Sequence, residues 1–180
     1  MPIGTRLDTL AAIVELAIGW DGSHQHLFSD GGREYADSKV LRDLLSKPGD
    51  QLCYTYDFGD DWNHDLDLED IIHNDLGDTL PACLDGSGAC PPEDCGGPWR
   101  YEELKEILAD PDHEEHEDML DWLGLESGDR LDPVRFSVEE VNSRLRQLQG
   151  MSDITVAAGP VPEVVPIQRR AKKTKAKRRR

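Results

Sequence analysis

Apolar residues recur along the chain with two different periods, and each period predicts one kind of secondary structure. A spacing of three and four residues predicts a first helix over residues 5–18, which ends at Gly19. The same spacing predicts four more helices, whose apolar positions lie within residues 40–45, 101–108, 119–123 and 141–148. The second of the five begins after Asp37 or Ser38, and Ser137 starts a capping box for the last.

A strict alternation of aromatic or apolar residues with polar ones covers residues 51–58 and resumes over 62–68. This pattern predicts a β-hairpin. A three-residue loop at 59–61 places Phe58 opposite Trp62 and keeps the aromatic side chains of both strands on one face. A two-residue loop would mix the faces, because a shift of one residue inverts every side chain. The pattern therefore favours a loop with an odd number of residues.

These elements together predict an α+β fold in which about five helices pack a small antiparallel sheet with a central hairpin. A further short strand is expected over residues 23–28, followed by a turn at 30–32. Residues 77–98 are rich in proline and glycine and are expected to form a loop. We expect one domain at residues 1–150, followed by a disordered linker and basic tail at 151–180.

Charge is distributed very unevenly along the 180 residues, whose formal net charge is −17. Residues 161–180 contain nine basic residues and one acidic residue, whereas residues 1–160 contain 11 basic and 36 acidic residues. An acidic body repels a phosphate backbone, so we expect at most a weak nucleic-acid contact, made by the basic tail 169–180. The alternative is that this tail folds back loosely on the acidic body of its own chain.

Composition also bounds the compartment in which the protein is expected. No apolar stretch approaches the roughly 18 residues that a membrane-spanning helix needs, so we expect no membrane contact. The first residues lack the pattern of a secretory signal, which favours a cytoplasmic location. Four cysteines in such a chain are expected to be reduced thiols rather than a disulfide framework.

Histidine and carboxylate side chains are expected to gather on and beside the hairpin. His24 and His26 share one face of the short strand, and His64 lies on the aromatic face of the hairpin. Imidazoles with aspartates nearby could hold a divalent metal such as zinc. Alternatively, His64 is a core histidine bonded to a tyrosine or a backbone carbonyl, and the aspartates are turn residues. The proposed functional face comprises His24, His26, Asp57, Asp60, Trp62, His64, Glu93 and Asp94.

Three cysteines of the predicted loop give a second candidate metal site. Structural zinc sites usually repeat a spacer of two to four residues, and only the pair Cys90 and Cys95 reaches that range. A closed zinc site would need His113 or His116 as a fourth ligand; otherwise these are reduced loop cysteines. The complete candidate set is Cys83, Cys90, Cys95, His113 and His116.

The sequence contains no phosphate-binding loop, dinucleotide fingerprint, nucleophile elbow or zinc-protease motif. Enzyme classes with strong signatures are therefore excluded, and we expect a non-enzymatic binding module. The alternative is a metal-dependent hydrolase or nuclease, with the histidines as ligands and Asp60 or Glu93 as the base.

Five segments in order resemble the Ri-plasmid ORF-three-like family, whose members are often labelled insertion-element passenger proteins of the TnpR type. The segments are GWDGSHQHLF from Gly19, YDFGDDWNH from Tyr56, CPPEDCGG from Cys90 with Tyr101 beyond it, DPDHEEH from Asp110 and DPVRF from Asp132. The resemblance runs from about Leu10 to Leu148.

This resemblance implies a compact α+β accessory domain that occurs in plasmids, mobile elements and bacterial or archaeal genomes. It implies no particular activity: the label suggests a resolvase, but the chain has no serine-recombinase nucleophile motif and its body is acidic. Family members usually begin with a strand region before the first helix, whereas only residues 1–6 precede it here. We therefore expect an unpaired sheet edge. Separately, we expect a protein or peptide partner that binds through the functional face.

Overall fold

The computed structural model of the chain describes residues 1–72, 81–125, 132 and 134–150. The predicted linker and tail at 151–180 lie outside the described residues, as does part of the predicted loop. In chain order the helices and strands are α1 Leu7–Ile18, β1 His26–Asp30, β2 Arg33–Tyr35, β3 Gln51–Tyr56, β4 Trp62–Asp67, α2 Gly97–Ala109, α3 His116–Leu123 and α4 Val138–Leu145. The predicted α+β class is confirmed.

The four strands form one antiparallel sheet in the order β2-β1-β3-β4. Burial alternates along β3, where Leu52, Tyr54 and Tyr56 are buried and the residues between them are not. This is the outcome expected when one face of a sheet covers a core. The buried face packs against Leu7 and Leu10 of α1.

Helix α1 lies between the sheet and α4, because two sides of it carry apolar residues. Its Ile13 packs with Val141 and Leu145 of α4, while other apolar positions face the sheet. Gly19 ends the helix in the left-handed region at φ 105°. Arg144 of α4 then donates two hydrogen bonds to the last carbonyls of α1, those of Leu16 and Ala17, which satisfies groups that have no partner within the helix.

Helices α2 and α3 form a second core with the loop before α2, and Trp62 packs against both this core and the sheet core. The second core contains Cys95, Tyr101, Leu104, Leu108 and Leu120. In the described part of the chain, no helix is both long and apolar enough to cross a membrane.

The predicted second helix is wrong. In its place is a single 3-10 turn, Leu41–Asp43, preceded by a backbone bridge between Arg6 and Val40. The amide of Leu41 donates to the carbonyl of Thr5, so this segment takes its backbone partners from the residues before α1. Strand β2 also completes a hairpin with β1 that the sequence pattern did not predict.

The central hairpin is confirmed, but its predicted pairing is wrong by two residues along β3, because Trp62 pairs with Tyr56 and not with Phe58. Tyr56 pairs with Trp62, so the loop spans five residues, 57–61, and Phe58 is 54% exposed. The loop length is odd, so the predicted faces are retained. The longer loop forms because Asp57 and Asp61 both adopt left-handed backbone, at φ 51° and 54°, and the amide of Asp61 donates to the carbonyl of Asp57.

Candidate functional site

Two tyrosines of β3 each donate a hydrogen bond to a glutamate that lies beside a histidine of the β1 region. In the deeper set, the hydroxyl of Tyr54 is 2.6 Å from Oε1 of Glu15, which lies 3.6 Å from Nδ1 of His26. On the other side of that ring, Nε2 of His26 is buried and lies 3.4 Å from Asp37. Burial, followed by the bond to Glu15, raises the pKa of Tyr54, so its hydroxyl remains a donor.

The outer set repeats this arrangement two residues further along β3 and two residues before the start of β1. The hydroxyl of Tyr56 is 2.8 Å from Oε1 of Glu93, which lies 3.9 Å from Nε2 of His24. The amide of Asp21 donates to the other oxygen of Glu93. Trp20 stacks on Tyr56 with 4.7 Å between ring centroids. The loop that carries Glu93 is therefore fixed to both β3 and the segment between α1 and β1.

Three side chains at the outer end of the sheet bring metal-ligating atoms together. One ring nitrogen of His24 and one carboxylate oxygen each of Asp57 and Asp94 all lie within 4.8 Å of one another. Nε2 of His24 is 2.9 Å from Asp94, and Nδ1 is 3.7 Å from Asp57. The Asp57 side chain is 13% exposed and that of Asp94 is 66% exposed, so the cluster opens to solvent on the Asp94 side.

The backbone at this cluster is unusual. Asp57 and Asp94 have φ of 51° and 55°, a conformation that costs a side-chain-bearing residue roughly 1–2 kcal/mol. The side chain of Asp57 accepts hydrogen bonds from the amides of Gly59 and Asp60, which hold the turn. Strained residues of this kind concentrate at functional sites, and the two turn amides fix the carboxylate of Asp57.

The electrostatics of the cluster are dominated by negative charge. Desolvation lowers the pKa of His24, but the carboxylates of Asp57, Asp94 and Glu93 outweigh it, and the net pKa is raised. The arrangement therefore stabilises a positive charge at this position, which a proton on His24 or a bound cation can supply.

The other members of the predicted face take different places. Asp60 accepts a hydrogen bond from the amide of Gly96 at 2.9 Å, which joins the hairpin loop to the start of α2. His64 lies inside the sheet face, with Nδ1 3.2 Å from the carbonyl of Tyr54 and its ring against the edge of Trp20. Burial lowers the pKa of His64. Its surroundings are those of a core histidine, and it does not reach the cluster around His24.

The second candidate metal set does not converge within the described residues, where no three of its members bring ligand atoms within 4.8 Å of one another. Cys83 exchanges two backbone hydrogen bonds with the side chain of Asn142, and Cys95 is buried in the α2–α3 core. Nδ1 of His116 is 3.0 Å from the carbonyl of Ile107. All four cysteines are free thiols.

An open groove of about 180 Å³ lies directly beside the cluster, and the sequence pattern did not predict it. It is lined by Asp94, Cys95, Arg100, Leu104, Met119 and Trp122.

Glu15 was also missed by the sequence analysis, although an acidic residue among the apolar positions of α1 is a signal that it is buried and paired. The groove has no comparable signal, because it depends on how α2 and α3 pack.

The sequence profile described as "Plasmid pRiA4b ORF-3-like protein" matches residues 1–140. The chain belongs to this family. The uncharacterized protein y4hQ of Sinorhizobium fredii (strain NBRC 101917 / NGR234) is 35% identical over 138 residues, which cover 69% of this chain and 71% of that protein. The resemblance predicted from the sequence is thus confirmed. The link between this chain and plasmids rests on the name of the family.

A solved structure shares the fold. The crystal structure of MM3350, a protein of unknown function from Methanosarcina mazei Go1, matches with a TM-score of 0.66 and 32% identity. The match covers 78% of this chain and 84% of that one. The names of these relatives assign no activity, so the function has to be argued from the site.

Proposed function

We propose that the protein is a binding module that holds a divalent cation at His24, Asp57 and Asp94 and takes its partner through that cation. The observation that carries this proposal is the convergence of one imidazole nitrogen and two carboxylate oxygens within 4.8 Å. A mixed nitrogen and oxygen set of this kind suits Zn²⁺, with Mn²⁺ as the nearest alternative.

Three protein ligands leave at least one coordination position free, which is typical of sites that bind an exogenous ligand rather than purely structural sites. The free position would face solvent on the side of Asp94, the most exposed of the three side chains. A protein or peptide partner that presents a carboxylate or an imidazole there would complete the coordination. Phe58, which follows Asp57 on the same hairpin loop, is exposed and available for apolar contact with a partner.

A second candidate function, a metal-dependent hydrolase or nuclease, is favoured by the position of Glu93. Its Oε1 lies 3.9 Å from Nε2 of His24, so a carboxylate stands beside the proposed cation to accept a proton from metal-bound water. Asp60, the other candidate base, accepts a hydrogen bond from the amide of Gly96, as Glu93 does from the amide of Asp21.

Metal titration of tag-free protein tests the first proposal. After treatment with a chelator, calorimetry with Zn²⁺ and with Mn²⁺ is expected to show one ion bound per chain. Asp57→Asn and Asp94→Asn are each expected to weaken binding by more than about tenfold, since each removes a charged ligand. Asparagine tolerates left-handed backbone and keeps an acceptor oxygen, so these variants preserve the turns.

The matched control is Asp112→Asn, the same change at an exposed turn away from the cluster. The proposal is wrong if no ion binds, or if Asp57→Asn and Asp112→Asn bind metal equally well. For the second candidate, the metal-loaded protein is assayed on generic ester, phosphodiester and peptide substrates, beside Glu93→Gln. Stoichiometric metal without any turnover would remove the hydrolase and leave the binding module.

A further inference from the structure

The groove beside the cluster has an apolar floor and an acidic surround. Leu104 of α2 and Met119 and Trp122 of α3 supply the floor. Asp94 and Arg100 also line the groove, and Arg100 pairs with the carboxylates of Glu103 and Glu115. Trp122 lines the groove and is 47% exposed. A volume of about 180 Å³ is below that of drug-sized ligand pockets, so the groove suits one or two side chains of a peptide.

We propose that this groove docks the segment 164–170 of the same chain, with one or two of its aliphatic side chains in the groove and its arginines on the acidic rim. The segment reads Val164-Val165-Pro166-Ile167-Gln168-Arg169-Arg170 and lies outside the described residues. It places aliphatic side chains directly before a basic run, which matches the apolar floor and acidic surround of the groove.

Charge complementarity supports this occupant. Residues 100–122, which cover most of α2 and all but the last residue of α3, contain ten acidic and two basic residues, for a net charge of −8. Residues 161–180 contain nine basic residues and one acidic residue, for a net charge of +8. The acidic residues Glu117, Asp118 and Asp121 of α3 are exposed next to the groove residues of the same helix. An arginine over the exposed face of Trp122 would add a cation–π contact.

The connection is long enough for docking within one chain. Thirteen residues, 151–163, separate the last described residue from Val164. They can span at most about 45 Å when extended, whereas a 150-residue domain has a radius of gyration of about 15 Å. The extended connection thus spans about three radii of gyration. The effective concentration of a tethered segment favours binding in the same chain.

Zero-length carbodiimide cross-linking of the full chain, read by mass spectrometry, tests the inference. Lys172 and Lys173 lie two and three residues after the end of the docked segment. Their cross-links are therefore expected to concentrate on carboxylates of residues 102–121. Ile167→Asp and Trp122→Ala are each expected to lower the yield of these cross-links by at least about threefold. Matched controls are Ala176→Asp, which adds the same charge to the tail, and Trp99→Ala, which removes an 89% exposed tryptophan of α2 outside the groove.

Several outcomes would overturn the inference. Cross-links spread evenly over the acidic body, including Asp65 and Asp67 of β4, would mean a loose electrostatic association. Cross-links between light and heavy chains in an isotopically mixed sample would place the segment on a second copy. Equal losses of cross-link yield in the variants and their controls would mean that the groove does not hold the segment. Asp57→Asn, which lies outside the groove, is expected to leave the cross-links unchanged, so failure here is distinguishable from failure of the metal proposal.

Discussion

The hydroxyl of Tyr56 donates a 2.8 Å hydrogen bond to Oε1 of Glu93 and thereby fixes the loop that carries Asp94 to the third strand. Asp94 sits in left-handed backbone directly after Glu93. The position of an exposed candidate ligand is thus set by a tyrosine of the sheet core. Disturbing this bond should affect both stability and the proposed cation site.

Tyr56→Phe is expected to lower the free energy of unfolding by about 1 kcal/mol, the usual net worth of one hydrogen bond. The ring and its stacking on Trp20 are retained, so the change isolates the hydroxyl. Affinity for Zn²⁺ should fall as well, because the loop is held less firmly. Urea denaturation and calorimetry measure the two effects.

Tyr54→Phe is the matched comparison, since it removes the equivalent bond to Glu15. Glu15 is buried, so a carboxylate without its donor should cost more, about 1–3 kcal/mol. Zn²⁺ affinity should remain close to that of the unchanged chain. If Tyr56→Phe proves the more destabilising, or if both leave metal binding unaltered, the role assigned to the loop is wrong.

The sequence pattern predicts well those elements in which buried and exposed residues recur at the period of the helix or the strand. The alternation along β3 follows from one buried and one exposed face, so Leu52, Tyr54 and Tyr56 could be assigned to the core in advance. The helix expected near Leu41 fails because its backbone pairs with the carbonyl of Thr5. Local spacing carries no information about that distant partner.

The site was predictable in its residue types but not in its grouping. His24, Asp57 and Asp94 were all among the expected residues, and the structure brings these three together. Two places were open for His64, beside these residues or in the core against a carbonyl, and its Nδ1 lies 3.2 Å from the carbonyl of Tyr54. The difference depends on the five-residue hairpin loop, whose left-handed aspartates are a matter of backbone conformation that composition does not reveal.

Gly97 is expected to be essential for the contact between the hairpin loop and α2. It adopts φ +82°, and a Cβ there would lie 2.4 Å from the carbonyl oxygen of Asp60. Gly97→Ala should therefore cost clearly more than the roughly 1–2 kcal/mol of left-handed strain alone. Gly124→Ala is the control, because Gly124 has φ +66° but a Cβ added to it would meet nothing within 4 Å. Equal melting temperatures for the two variants would contradict the steric argument.

His24 and His64 have shifted pKa values, and their contributions to the free energy of unfolding should depend on pH in opposite directions. Burial lowers the pKa of His64 below 6.5 in the folded chain. Its contribution is therefore fully present above 6.5 and is lost as the pH falls through the lowered pKa. The pKa of His24 is raised above 6.5 by neighbouring carboxylates, against the effect of desolvation. Its contribution is present below 6.5 and is lost as the pH rises through the raised value.

Urea denaturation of His64→Gln and His24→Gln in chelator-treated buffer, between about pH 5 and about pH 8, separates these effects. Relative to that of the unchanged chain, the free energy of unfolding of His64→Gln should increase as the pH falls. That of His24→Gln should increase as the pH rises. Glutamine stays neutral and can still donate to the carbonyl of Tyr54. Parallel pH profiles for the two variants would rule out the assigned environments.

Affinity for Zn²⁺ should increase with pH through the range above 6.5, because the cation competes with a proton for His24. The carboxylates of Asp57, Asp94 and Glu93 raise the pKa of His24, which extends this competition to higher pH. Glu93→Gln removes one of these charges, so affinity should level off at a lower pH than in the unchanged chain. Calorimetry in buffers of different ionisation enthalpy measures both the affinity and the proton released per ion, with Asp112→Asn as the control. An affinity that does not vary with pH, or binding without proton release, would mean that His24 is not a ligand.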